Sequence, residues 1–359
     1  MRFNFNRTND EQFNSLVDCT LDLARQAYAG NKSADYADKN RELLNAMGKK
    51  IVEGTRYEAA FEAEGLNLFK QPMFRNNSII RDNFNAVIAQ VVNAIVPEVV
   101  NDQYSRFLSE VKQVGYGETA RFIIESNDLF KVNEKAEGVR KGVDQPMYDD
   151  EFTVNARPIE ISTHIDYYPL AAGEFDMGNF ALKIGRSFSA YIFLKVVKGM
   201  TQATTLYGNA YKTNGISPVL WGTLRERVSA ANGGMNVVAI GTAVALSGVS
   251  LQGNFQIEIG EEMNKVGYLD QYLGVPIVAI KNVLVPGTTN GAATLALSDK
   301  LIYMVPMAGD KPVKVVFEGN EVSIAYDPEH SSDLRYGITV TMRVGVEAIV
   351  GSKIGTIEL

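Results

Sequence analysis

The sequence predicts an α+β chain, and three observations carry that prediction. Apolar residues recur at helical spacing up to about Gly115, alternation with a period of two begins at Ala120, and a long proline-free apolar stretch runs from about Glu174 to Thr204. Helices come first, strands follow, and one unusually long helix separates the first strands from a mixed remainder.

The N-terminal third is helical by pattern. Phe13, Leu16, Val17, Thr20, Leu21, Ala24 and Ala27 mark one face of a first helix that ends near Gly30. A second, from about Ser33 to Glu53, carries Leu43, Leu44, Met47 and Ile51 on its face, and Thr55 with Glu58 has capping-box spacing for a third. Ile80, Phe84, Val87, Ile88, Val91 and Ile95 continue the period to Pro97; Val100, Tyr104, Phe107, Leu108 and Val111 resume it. Residues 1–114 therefore read as almost entirely helical.

From Ala120 the segment Ala120-Arg121-Phe122-Ile123-Ile124-Glu125 favours a strand through its β-branched and aromatic content. A polar stretch from Asn133 to Pro146 follows, and then Ile159, Ile161, Ile165 and Tyr167 alternate with Glu160, Ser162, His164 and Asp166. These two strands with the stretch between them read as a long two-stranded excursion. Such a hairpin is marginal alone, so its edges and apolar residues call for a neighbouring subunit or the body of the protein. The stretch from Glu174 to Thr204 is apolar around much of its circumference, with Phe180, Ile184, Phe188, Ile192 and Val196 among others. It predicts a helix packed on several sides, approaching ~45 Å at ~1.5 Å per residue.

The remainder mixes both classes. Ser217-Pro218 starts a helix bearing Leu220, Trp221, Leu224 and Val228, which Gly233-Gly234 stops before the strand at Asn236 to Ile240. Further strands are predicted at Val275 to Ile280, Leu301 to Val305, Val313 to Phe317 and Val322 to Tyr326, with Glu318-Gly319-Asn320 as a hairpin turn between the last two. A final extended run spans Tyr336 to Val350. There is no internal repeat and no low-complexity linker, so interleaved subdomains are expected rather than a string of separate ones.

Composition limits what the chain does. With 359 residues and a net charge of -7 it lacks the basic surplus of a dedicated nucleic-acid binder. The polar start Met1-Arg2-Phe3-Asn4 is no secretory signal, and the apolar run Ala190 to Val197, broken by Lys195 and closed by Lys198, falls short of the ~20 residues of a membrane span. A soluble protein is expected. The single cysteine, Cys19, sits near the apolar face of the first helix and reads as a small packed side chain, in keeping with a reducing cytoplasm.

No catalytic, cofactor-binding or metal-ligating residue emerges. His164 lies on an alternating strand and His330 in a polar loop far from it in sequence, without the spacing of a metal site. The acidic run Asp149-Asp150-Glu151 reads as a salt contact to a basic surface of another subunit rather than a cation site. Gly233-Gly234 and Gly241 flank a strand without forming a dinucleotide fingerprint or a P-loop.

The order of these elements resembles the HK97-type major capsid proteins of tailed phages from roughly Gly115 onward. Glu118-Thr119-Ala120-Arg121-Phe122 is similar to the strand that opens the family's extended loop, and Gln145-Pro146 with Asp149-Asp150-Glu151 resembles its returning arm. Met235 to Thr242 resembles a strand followed by a short helix, Tyr272-Leu273-Gly274-Val275-Pro276-Ile277 the leucine-glycine-x-proline phrase, and Tyr336 to Ala348 the closing strand with its arginine, here Arg343. Ser298-Asp299 stands where glycine-aspartate is common, and the helical N-terminal region is larger than in the shortest members.

The resemblance implies an HK97-like capsid fold with a helical N-terminal arm (1–114), an extended β-hairpin (115–172), a spine helix with the peripheral domain (173–214), a mixed α/β axial domain (215–310) and a C-terminal β segment returning to the peripheral domain (311–359). It implies a structural protein rather than an enzyme. The expected partner is the chain itself, in hexamers and pentamers forming an icosahedral head that encloses double-stranded DNA without reading it. Portal, scaffold or cement proteins are further expected partners, the chain being made in the host cytoplasm and residing in the virion. In that family a large N-terminal region is either an arm of the mature shell or a scaffold-like segment that a protease removes. Some relatives join a loop lysine to an asparagine of another subunit; Lys131, Lys135 and Lys141 lie on this loop, but nothing singles out an asparagine or an assisting glutamate. The alternatives are an encapsulin-like nanocompartment shell and, behind it, a soluble enzyme.

Overall fold

A computed structural model describes residues 11–64, 68–70, 74, 77, 79–84, 86–88, 108–125, 130–132, 134, 148–206, 208–250, 268–288, 291–308, 310–327, 335–348 and 351–359. The helices with named bounds are α1 (Glu11–Ala29), α2 (Tyr36–Val52), α3 (Glu58–Glu64), α4 (Tyr167–Ala172), α5 (Met177–Leu206), α6 (Pro218–Ala231) and α7 (Ala243–Ser250). The strands are β1 (Ser109–Val114), β2 (Ala120–Glu125), β3 (Tyr148–Val154), β4 (Arg157–Asp166), β5 (Lys212–Asn214), β6 (Val237–Gly241), β7 (Gln271–Tyr272), β8 (Val275–Ala279), β9 (Leu301–Pro306), β10 (Val313–Asp327), β11 (Arg335–Ala348) and β12 (Gly355–Glu358). The chain divides into two compact units, and both interleave segments distant in sequence.

The first unit comprises Met1–Asp102, Arg157–Ser189 and Glu318–Val344. Its core joins the N-terminal helices to β4, β11 and the start of α5: Leu23, Met47, Ile51 and Phe61 are buried in one cluster with Ile165, Ile184, Phe188 and Ile338. β4 pairs antiparallel with β11, from Ile165 opposite Tyr336 to Arg157 opposite Val344. Its alternation holds, with Ile159, Ile161 and Ile165 packed against that core while Glu160, Ser162 and His164 are exposed. Phe69, Phe74 and Phe84 pack edge to face with centroids 5.0 to 5.7 Å apart, the geometry that ring quadrupoles favour.

The second unit comprises Gln103–Ala156, Ala190–Phe317 and Gly345–Leu359. Its main sheet has six strands in the order β5-β12-β9-β6-β8-β7. β6 reads Val-Val-Ala-Ile-Gly and is buried throughout, the continuous apolar run of a strand covered on both faces. It pairs parallel with β8 and antiparallel with β9. Trp221, Leu224 and Val228 of α6 and Ala245, Leu246 and Val249 of α7 are buried in the cluster over this sheet. β12, near the end of the segment 311–359, pairs with β9 and β5 in this same sheet.

Local chemistry explains several helix ends. α1 stops before Gly30 at φ 68°, where a β-carbon would be strained. Ser217 caps α6 by accepting from the Leu220 N–H at 3.2 Å, with Pro218 in the first turn. α6 closes on Asn232 before the glycine pair: its side chain donates to the Val228 and Lys353 carbonyls at 2.7 and 2.8 Å and accepts from the Lys353 N–H at 3.0 Å.

Several expectations from the sequence are corrected. Val111 belongs to β1, a strand beside β10, so the helical period ends earlier than Gly115; sheet pairing outweighs a spacing that fits either structure. The partner of β2 is β3, not the 159–167 strand, which pairs with β11 instead. Glu318-Gly319-Asn320 makes no turn: β10 runs unbroken from Val313 to Asp327, and Gly319 at φ 78° absorbs a local distortion within it. The Thr55 and Glu58 box is offset by one residue, the Glu58 carboxylate accepting from the Gly54 N–H at 3.0 Å. Residues 89–107, which include the expected helical positions Val91 to Phe107, lie outside the described residues, as does most of 133–146.

Candidate functional site

Two constructions stand out, one in each unit: the base of the β2–β3 hairpin and the junction where α5 begins. The hairpin is an antiparallel pair with Ala120 opposite Val154 and Phe122 opposite Phe152, and its register shifts between Ile124 and Glu125. Phe122 is buried while the next residue, Ile123, is 67% exposed, so the strand turns one apolar face inward and leaves another to solvent. Past β2, Phe130 is 58% and Val132 92% exposed. Across the strands Arg121 pairs with Glu151 at 3.2 Å.

Beneath the hairpin, Ala120, Phe122, Val154 and Val316 form a small apolar cluster. Lys314 sits on the same face of β10 as Val316, two residues apart, and its side chain is only 2% exposed. Its ammonium meets the carboxylates of Glu110 on β1 and Asp310 just before β10, and lies 5.3 Å from the Phe122 ring centroid. A buried ammonium requires such pairing, because desolvating an isolated charge costs several kcal/mol. Lys112 covers Phe122 at 4.0 Å and donates to the Arg121 carbonyl at 2.9 Å. Burial, then the Lys314 charge, pushes the Lys311 ammonium below its ordinary pKa. Sequence reasoning missed this lysine; its one signal is a cation inside the apolar run Val313-Lys314-Val315-Val316.

At the second junction Asp176 caps α5, accepting from the Asn179 N–H at 2.9 Å. Residues ahead of and within α2 hold it. The Tyr36 hydroxyl donates to its two carboxylate oxygens at 2.7 and 2.8 Å, and Lys32 donates at 2.9 Å while lying 4.3 Å over the Tyr36 ring. Asn40 donates to the Phe175 carbonyl at 2.8 Å and accepts from the Met177 N–H at 3.3 Å. Burial raises the Asp176 pKa, but the bonds from Asn179, Tyr36 and Lys32 outweigh it and the net shift is downward. Burial and the bond to that carboxylate push the Tyr36 phenol well upward.

The other residues weighed from sequence take ordinary places. His164 is exposed on β4 with Nε2 3.9 Å from Asp166 Oδ1. Cys19 is half-buried against the first unit's core, and burial, then Asp22, raises its thiol pKa. Glu151 of the acidic run pairs within the chain, with Arg121. Lys131 is exposed, while His330, Lys135 and Lys141 lie outside the described residues. Among the described residues no group of three or more histidine, cysteine or acidic side chains is placed to hold a metal, and no helix is long and apolar enough to cross a membrane.

Comparison with solved structures finds similarity to a virus-like particle from Pyrococcus furiosus at 13% identity and TM-score 0.42, covering 75% of this chain and 98% of that one. The capsid of Cyanophage P-SCSP1u is similar at 11% identity and TM-score 0.46, over 70% of this chain and 86% of the other. The mature capsid of bacteriophage PhiM1 is similar at 11% identity and TM-score 0.44, over 72% and 87%. No curated protein sequence matches.

The element order is the one the HK97-type resemblance implied: helical N-terminal region, two-stranded hairpin, long helix, mixed sheet and closing strands. The class that the fold defines is a chain of mixed helix and sheet with these elements in this order. A family model described as "SPbeta prophage-derived putative capsid protein YonB" matches residues 13–358, and the chain belongs to that family. Its role is that of a major capsid shell protein, a structural protein, and membership favours the capsid over the encapsulin-like alternative.

Proposed function

We propose that this capsid protein assembles with identical copies into hexamers and pentamers that close an icosahedral shell around phage double-stranded DNA. The observation that carries the reading is the β2–β3 hairpin with Ile123 exposed on it and Phe130 and Val132 exposed just beyond. Among the described residues its sheet has two strands only, so the second apolar face calls for a surface from another copy. In closed shells one modest contact repeats many times, which makes weak patches sufficient.

The division that fits this role is an N-terminal region of 1–114, a segment of 115–172 that carries the reaching β2–β3 hairpin, a spine with peripheral part of 173–214, an axial part of 215–310 and a closing segment of 311–359. The net charge of -7 suits a container that holds DNA without gripping it. Portal, scaffold and cement proteins of the same virus are the further partners, with synthesis in the host cytoplasm.

Negative-stain electron microscopy and mass photometry of the purified chain test the reading, across concentrations and with a crowding agent. Closed particles, rings or tubes are expected, and native particles should contain DNA. A monomer that persists even with portal and scaffold proteins co-expressed would refute self-assembly, and particles filled with an enzyme instead of DNA would make the chain a nanocompartment shell.

A further inference from the structure

We infer that the helical N-terminal region, residues 11–88, stays folded onto the rest of its unit in the finished shell and is not a segment that maturation discards. The inference deepens the shell-building reading and rests on it for its setting, but its physical basis lies within one unit of one chain.

Three independent features bind this region to residues far along the sequence. First, its core is continuous with that of the rest of the unit: Leu23, Met47 and Phe61 share one buried cluster with Ile184, Phe188 and Ile338. Removing the helices would open that cluster to water. Second, α1 and α5 meet at backbone level. A β-carbon on Gly178 would stand 2.9 Å from Leu23 Cβ and 3.0 Å from the Ala24 nitrogen, so the two helices approach as closely as a glycine permits. Third, the polar clamp is shared: Lys32, Tyr36 and Asn40 supply partners that Asp176, Phe175 and Met177 use at the start of α5. Losing them would strip the cap of α5 of two of its donors.

The outer parts of the region are bound in turn to its inner parts. Asn83 donates to the Ile51 carbonyl at 2.8 Å, tying the helical residues 79–84 to the end of α2. A cut between residues 88 and 108 would therefore leave both fragments held together by buried contacts. A detachable scaffold needs a surface that separates cleanly from the shell; here the surfaces interdigitate.

Peptide quantification by mass spectrometry on assembled particles tests this. Peptides from 11–64 should be recovered equally with peptides from α5; particles that retain α5 but have lost 11–64 would overturn the inference. Limited proteolysis of the unassembled full-length chain reads the same point without a shell. Fragments nicked after residue 88 should co-elute on gel filtration, whereas their separation overturns it. A chain that forms no particles but keeps its fragments together sustains this inference while the assembly reading fails. Combining Tyr36→Phe with Asp176→Asn should lower the urea concentration at which the co-eluting nicked fragments come apart, and an unchanged concentration would overturn the clamp's part in holding them.

Discussion

At the scale of single residues, two charged clusters make claims that substitution and pH can check. Lys314 is buried while its partners Glu110 and Asp310 keep 39% and 28% side-chain exposure. Lys314→Met leaves Glu110 partly in water and Asp310 with a buried Oδ2, and should cost about 1 to 2 kcal/mol, whereas Glu110→Gln with Asp310→Asn removes both counter-charges from a fully buried ammonium and should cost more, about 2 to 4 kcal/mol. Urea unfolding of the two variants checks the order. The Asp176 clamp is read by pH. Its pKa is lowered on folding, so it stabilises above the ordinary carboxylate pKa of about 4 and loses that contribution as pH falls through the lower folded value. The Tyr36 pKa is raised, so its contribution is complete below about 10 and fades as pH rises through the higher folded value. Asp176→Asn should flatten the acid limb of a melting-temperature profile and Tyr36→Phe the alkaline limb, the latter also costing about 1 to 2 kcal/mol at neutral pH through its lost bonds to a carboxylate.

At the scale of elements, two turns make claims that variants can settle. Tyr272 faces Val275 across a two-residue turn in which Leu273 has φ 46° and Gly274 φ 76°. Positive φ at both central positions is the backbone of a type I′ hairpin turn, where asparagine suits the first position better than leucine. Leu273 is 48% exposed, so Leu273→Asn gives up little burial and should stabilise by about 0.5 to 1 kcal/mol in thermal unfolding. Gly345 is the converse case. A β-carbon there would lie 2.7 Å from the Asn155 carbonyl oxygen and 2.9 Å from Val154 Cγ1, so Gly345→Ala should cost about 1 to 3 kcal/mol and loosen the β3 end of the hairpin in hydrogen exchange. The capping chemistry of α6 was legible in Ser217-Pro218, because a cap depends on neighbours within one turn. The false hairpin at Glu318-Gly319-Asn320 shows the limit of such local reading: turn-forming residues permit a reversal, but the ladder with β11 continues the strand.

At the scale of the whole molecule, the hairpin should matter for assembly and hardly at all for folding. Ile123→Asp with Val132→Asp changes two side chains already in solvent, so the melting temperature should move little while particle formation is lost in mass photometry. Equal particle yield would remove this face from the interface. What the sequence determined by itself was the run of elements: the helical faces of α1 and α2, the alternation of β4, the length of α5 and the apolar run of β6. Those follow from residue periodicity, which every segment carries alone. The resemblance to capsid proteins rested on that same order, and family membership bears it out. Tertiary structure decided what each element pairs with. β4 joins β11 across 177 residues at the pair Ser162 and Thr339, Lys314 finds Glu110 across 204 residues, and Tyr36 reaches Asp176 across 140. No periodicity encodes such partnerships, because they depend on which apolar faces close over one another and on which buried charge then needs a neighbour.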